Sequence, residues 1–150
     1  MPHLVILYTP NLDAKTDMTA LCRKLADTML AQLDEDGKQV FPTGGTRVLA
    51  YPAAHYAVAD GGAAGIAAGN ESGRITGDPG DYGFVYLNLR MAAGRSDAIK
   101  TRAGHACLAC VTAHFDPIFA ANRIGITLQV DEGHEAFNGR HSNLHPLFQK

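Results

Sequence analysis

The chain has 150 residues, 46% hydrophobic and 19% charged, with 13 Lys and Arg against 15 Asp and Glu. That is the make-up of one globular domain, 1–150, large enough to bury roughly 70% of its unfolded surface. A formal net charge of −2 excludes non-specific affinity for nucleic acid or an anionic membrane, and no apolar run approaches a membrane span.

Pro2 follows the initiator methionine and heads an apolar strand over residues 3–9. The run at 4–8 is too short for a secretory apolar segment. Removal of Met1, usual before a small residue, would leave Pro2 with a free secondary amine. Ordinary α-amino groups titrate at about 7.7–8.0. Burial and neighbouring cations lower such a pKa, towards the range where a base works best. By position alone, Pro2 is equally a proline tolerated as the first residue of a strand.

Asp17 is placed to cap a helix running to about Leu33, with Met18, Leu21, Cys22, Leu25 and Met29 at helical spacing. Phe41-Pro42-Thr43-Gly44-Gly45 is a turn, and β-type residues follow from Thr46 to about Val58. Residues 61–80 hold seven glycines (61, 62, 65, 69, 73, 77 and 80) and read as a flexible surface insertion. After the Asp78-Pro79-Gly80 turn, Tyr82–Met91 is a strand, and Ser96 caps a second helix. Its apolar stripe is read as Ile99, Ala103, Cys107, Cys110, His114 and Ile118. Pro117 is expected to kink that helix or restart it from Asp116. Ile124–Val130 is the last strand, and 132–150 a polar tail.

Strand–helix–strand therefore occurs twice, with the Gly-rich linker 61–80 between. Each unit predicts a βαβ crossover with parallel strands. Together they give an α+β fold of α/β-type units: a four-stranded sheet with two helices on one face. The other face is left open, which points to oligomerisation.

Three cysteines make an odd count, and two share one helix, so a reducing cytoplasm is expected. Cys107-x-x-Cys110 lies inside an apolar helical stripe and reads as core. His134, His141 and His145 lack a helical frame and are not assigned to a metal. Arg90 and Arg102 read as surface charges, and Tyr8 and Tyr86 as core aromatics.

Four stretches in order carry a resemblance: Met1-Pro2-His3; Phe41-Pro42-x-x-Gly45-x-Arg47; Asp81-Tyr82-x-Phe84-Val85, leading to Ala93-Gly94-Arg95-Ser96; and Asn143-x-His145-x-Leu147-Phe148. The chain resembles the tautomerase superfamily, most closely its 5-carboxymethyl-2-hydroxymuconate isomerases of aromatic-acid degradation. The resemblance implies a tautomerase-like homotrimer with sites near subunit interfaces, using no metal and no organic cofactor. It implies Pro2 as the catalytic acid–base, with Arg47 and Arg95 binding a small carboxylated substrate. Arginine suits that role because it meets a carboxylate through two parallel hydrogen bonds. Replacing Arg95 with alanine is then expected to weaken acid binding with little loss of stability.

The linker is longer than the family pattern, Pro117 interrupts the second helix, and Leu7 stands where a polar pocket group is expected. Two alternatives remain at this stage. One is another proline-based superfamily enzyme, a dehalogenase or decarboxylase. The other is a non-catalytic trimer that binds a small acid.

Overall fold

The computed structural model describes residues 2–70 and 73–148. Strands β1 (His3–Tyr8), β2 (Arg47–Pro52), β3 (Tyr82–Ala92) and β4 (Arg123–Gly133) form one sheet in the order β2-β1-β3-β4. β1 pairs parallel to β2 and β3 parallel to β4, while β1 and β3 are antiparallel. Each strand–helix–strand unit therefore supplies its own parallel pair, and the two units join at the centre.

Helix α1 (Met18–Leu30) starts where Asp17 accepts a hydrogen bond from the Ala20 N–H. It buries Met18, Leu21, Leu25 and Met29, with Cys22 half-buried at the edge. The helix stops at Leu30 rather than Leu33. Gln39 reaches back to the Leu30 carbonyl, and Leu33 instead bridges to Gln39. Helix α3 (Asp97–Phe119) is capped by Ser96, whose Oγ accepts from the Ile99 N–H.

The buried stripe of α3 is Ile99, Ala103, Cys107, Val111 and Phe115. The expected stripe departed from it after Cys107: Cys110, His114 and Ile118 are only half-buried. Pro117 neither breaks nor restarts the helix, which continues to Phe119. The ring sits in the last turn, where it removes only the bond to the Ala113 carbonyl, and Phe115 is already locked in the core. Asp116 is no cap.

Alternation along the strands sends Leu4, Ile6 and Tyr8 of β1, and Val85, Leu87, Leu89 and Met91 of β3, onto the helix side. Each such fully buried side chain contributes about 1.5–3 kcal/mol relative to exposure. The opposite face carries Leu7, Leu49 and Tyr51, each about half-exposed. The register sets Tyr51, Leu7 and Tyr86 side by side across three strands. Leu7 therefore belongs to this open face.

The glycine-rich stretch is more ordered than expected, because it contains helix α2 (Ala63–Ala68). Asp60 accepts hydrogen bonds from the Gly62 and Ala64 N–H groups at its start. The Gly65 N–H donates to the Tyr82 hydroxyl at 2.7 Å. A Cβ on Gly65 would lie 2.1 Å from the Pro79 carbonyl oxygen, so glycine is what lets α2 seat on the following turn.

Candidate active site

Pro2 is buried and leads straight into β1. Because β1 is an inner strand, His3 is paired on one side with Arg47 and on the other with Arg90. Two ladders thus fix the position of Pro2. Met1, whose removal the base role requires, lies outside the described residues.

The second wall comes from the segment before β2. Phe41 is fully buried and anchors a short 3₁₀ turn at Thr43–Gly45. The Pro42 carbonyl accepts from the Gly45 and Thr46 N–H groups and from the Thr46 hydroxyl. Gly45 sits against the proline ring: a Cβ there would be 3.7 Å from Pro2 Cδ.

Arg95 approaches from the loop between β3 and α3. Its Nη1 donates to the Ala92 carbonyl at 3.0 Å and its Nη2 to the Val40 carbonyl at 2.9 Å. The guanidinium carbon stands 5.9 Å from the centre of the Phe41 ring. Two of its five N–H donors are therefore committed, which fixes the plane of the fork and leaves three for a ligand. Arg95 therefore ties two segments together, a structural share that the expectation of little stability loss on its removal left out.

The last wall is the tail. Residues His145–Phe148 form a 3₁₀ turn docked on the Thr43–Gly45 turn. A Cβ on Gly44 would be 3.2 Å from Phe148 Cδ2 and 3.4 Å from His145 Cα, so the contact depends on a bare backbone. Together these elements enclose a cleft of about 360 Å³ lined by Pro2, Arg95, Arg140, His145, Phe148 and the Pro42–Gly45 turn, among others. Its size is that of a small-molecule site.

Pro2 and Arg95 thus share one cleft, and Arg47 is not on its wall. Arg47 sits at the start of β2 and donates from Nη1 to the Gly45 carbonyl at 2.9 Å, holding a lining residue from behind. Sequence reasoning did not single out Arg140 or give His145 a place in the site. The signal available was the tail motif, whose Phe148 seats on Gly44. Among the described residues no Asp or Glu lines the cleft, and two arginines set its charge.

The remaining candidates lie elsewhere. Cys107 is fully buried, and burial pushes its thiol up to about 12, which suits packing and not reactivity. Tyr8 is also raised to about 12, first by burial and then by its 2.7 Å hydrogen bond to the Asp13 carboxylate, at the far end of β1. His134 is exposed and off the cleft.

Comparison with known proteins identifies the setting of this site. The model of the family described as 5-carboxymethyl-2-hydroxymuconate isomerase matches residues 2–148. A 5-carboxymethyl-2-hydroxymuconate Delta-isomerase of Escherichia coli is 24% identical over 149 residues, covering 99% of this chain and 100% of the relative. A crystal structure of a 5-carboxymethyl-2-hydroxymuconate delta-isomerase is 55% identical, with a TM-score of 0.89 over 100% of this chain and 94% of that one. The crystal structure of a 5-carboxymethyl-2-hydroxymuconate isomerase from Deinococcus radiodurans R1 is 32% identical, with a TM-score of 0.75 over 99% of this chain and 95% of that one.

Proposed function

The chain belongs to the 5-carboxymethyl-2-hydroxymuconate isomerase family, and we propose that it ketonises a carboxylated 2-hydroxy-2,4-dienoate with Pro2 as acid and base. The substrate is of the 5-carboxymethyl-2-hydroxymuconate type, met in aromatic-acid degradation. The observation that carries this reading is the meeting of Pro2 and Arg95 in one cleft that no carboxylate lines among the described residues.

The Pro2 nitrogen, once freed of Met1, takes the proton of the 2-hydroxyl. The O–H electron pair becomes the C2=O π bond, the diene shifts to C3=C4, and the same nitrogen returns a proton to C5. Proton and electrons balance, and nothing is oxidised. Arg95 stabilises the charge that grows on oxygen in the dienolate, using donors fixed in advance. Two guanidinium groups in the same cleft favour the neutral form of the amine, the form that accepts a proton. Arg47 acts by holding the Gly45 carbonyl and so the wall against Pro2.

The protein works as a homotrimer, since the face bearing Leu7, Leu49 and Tyr51 needs cover that none of the described residues supplies. Three free cysteines, one of them fully buried, fit a reducing cytoplasm. Dehalogenation by hydration would call for an acidic or tyrosine partner to direct a water, and among the described residues the cleft wall has neither, which favours isomerisation.

The test compares the protein lacking Met1 with one that retains it, each confirmed by mass analysis, following loss of the dienol absorbance. The freed form ketonises, the retained form loses nearly all activity, and Pro2→Ala without Met1 keeps part of it through a primary amine. Equal activity with and without Met1 removes Pro2 from the reaction.

A further inference from the structure

We propose that Arg140 is a specificity-determining residue of the Pro2 cleft, binding a second carboxylate at the end of the substrate remote from the 2-hydroxyl. The inference rests on the isomerase reading and adds a residue to it that neither the sequence motifs nor the family resemblance singled out.

Three observations converge. Arg140 lines the cleft together with Pro2 and Arg95, yet it comes from the tail, a different element from either. Among the described residues its guanidinium makes no hydrogen bond or ion pair, so all five donors are open. Arg95 differs, with two donors already spent on the Val40 and Ala92 carbonyls. The acid closest to Arg140 in the tail sequence, Glu135, is engaged by the Asn138 side-chain amide at 2.7 Å.

The tail that carries Arg140 is held downstream of it. Downstream, the Leu144 N–H donates to Ser142 Oγ at 3.1 Å and the Leu147 N–H to the Leu144 carbonyl at 3.0 Å. Phe148 and His145 pack on Gly44. An arginine with an open fork on the wall of an acid-free cleft meets a planar anion on favourable terms, and a carboxylate matches the fork. Arg95, fixed by the Ala92 and Val40 carbonyls, is suited to the reacting end of the molecule. Arg140, carried into the same cleft by the tail, is suited to the other end. The site then selects dienoates carrying at least two carboxylates.

The experiment uses full-length protein freed of Met1 and its Arg140→Gln and Arg140→Lys variants. Two 2-hydroxy-2,4-dienoates are compared, one ending in a carboxylate and one in a methyl group. The ratio of KM values between them should shift by roughly 10- to 100-fold against the diacid in Arg140→Gln, with kcat for the diacid moving far less and Arg140→Lys recovering part of the loss. An unchanged ratio overturns the proposal and makes Arg140 a solvated surface charge.

A second arm needs no turnover: calorimetric titration with adipate, a saturated diacid, and with hexanoate. Weaker adipate binding in Arg140→Gln supports the assignment even if the wild type isomerises neither dienoate, which would sink the isomerase reading alone. If adipate binds the wild type no better than it binds Arg140→Gln, the assignment falls even though isomerisation is intact.

Discussion

Replacement of Arg95 with alanine tests the double duty of that side chain. Its fork donates to the Ala92 and Val40 carbonyls at 3.0 and 2.9 Å and lies over Phe41. A hydrogen bond from a charged donor contributes about 1.5–3 kcal/mol, and the ring contact about 0.5–1 kcal/mol. Arg95 is half-buried, so water re-solvates part of what is lost, and a net cost of about 2–3 kcal/mol is expected for folding. In a chain of this length that lowers Tm by roughly 5–10 °C. Loss of the anion contact should separately cut kcat/KM for a carboxylated dienoate about 10- to 100-fold. Arg95→Lys keeps the charge but not the two-carbonyl fork, so it should recover more activity than stability. Thermal melts at fixed protomer concentration, which matters for an oligomer, and steady-state kinetics read the two effects apart. A variant that melts within about 1 °C of the parent would refute the anchoring, and one with unchanged kcat/KM would take Arg95 out of the site.

Gly65→Ala forces a Cβ to within 2.1 Å of the Pro79 carbonyl and 2.8 Å of Tyr82 Cε1. It should cost about 1–3 kcal/mol, seen as a lower Tm and faster proteolysis within 61–80, with kcat/KM unmoved; equal protease resistance would contradict the docking of α2. Asp81 is held below the usual carboxylate range, first by its hydrogen bond from Lys15 at 2.7 Å and then by that from Asn11. Its stabilising share is complete above the ordinary pKa of about 4 and is lost as pH falls through the lowered value. The pair is about a third exposed, which limits the share to about 1 kcal/mol. Asp81→Asn should therefore lower stability by about 1 kcal/mol at neutral pH, leave the acid end of the stability–pH curve unchanged and so flatten its acid limb; an acid limb as steep as the parent's would count against the pairing.

The elements legible in the sequence are those where short-range chemistry and tertiary packing agree. Asp17 and Ser96 cap the helices they were expected to cap, and the strand expected over Tyr82–Met91 is β3. The stripe of α3 was misread beyond Cys107 because the sheet selects one four-residue row, ending in Val111 and Phe115, while neighbouring apolar residues look equally eligible. Pro117 was over-weighted because a local penalty was judged without the packing that outweighs it. The seating of α2 was hidden because glycine content signals freedom, whereas Gly62, Gly65 and Gly80 permit close contact with chain segments that only the fold supplies. Pro2 and Arg95 were legible through motifs. Arg140 reaches the cleft through the docking of Phe148 on Gly44, a contact across most of the sequence that no local pattern encodes.

Pro2 and Phe148 border the same cleft, which has a practical bearing on how the protein is handled in the laboratory. An affinity handle fused ahead of Pro2 acylates the amine and abolishes its basicity. One fused after the His145–Phe148 turn begins beside the cleft mouth and competes with substrate for entry. The usual choice between an N-terminal and a C-terminal label is then a choice between two ways of disturbing the site. Gly77, exposed and with open space around it, is a better insertion point for an epitope. A weak or inactive preparation carrying a terminal label says nothing about the native enzyme.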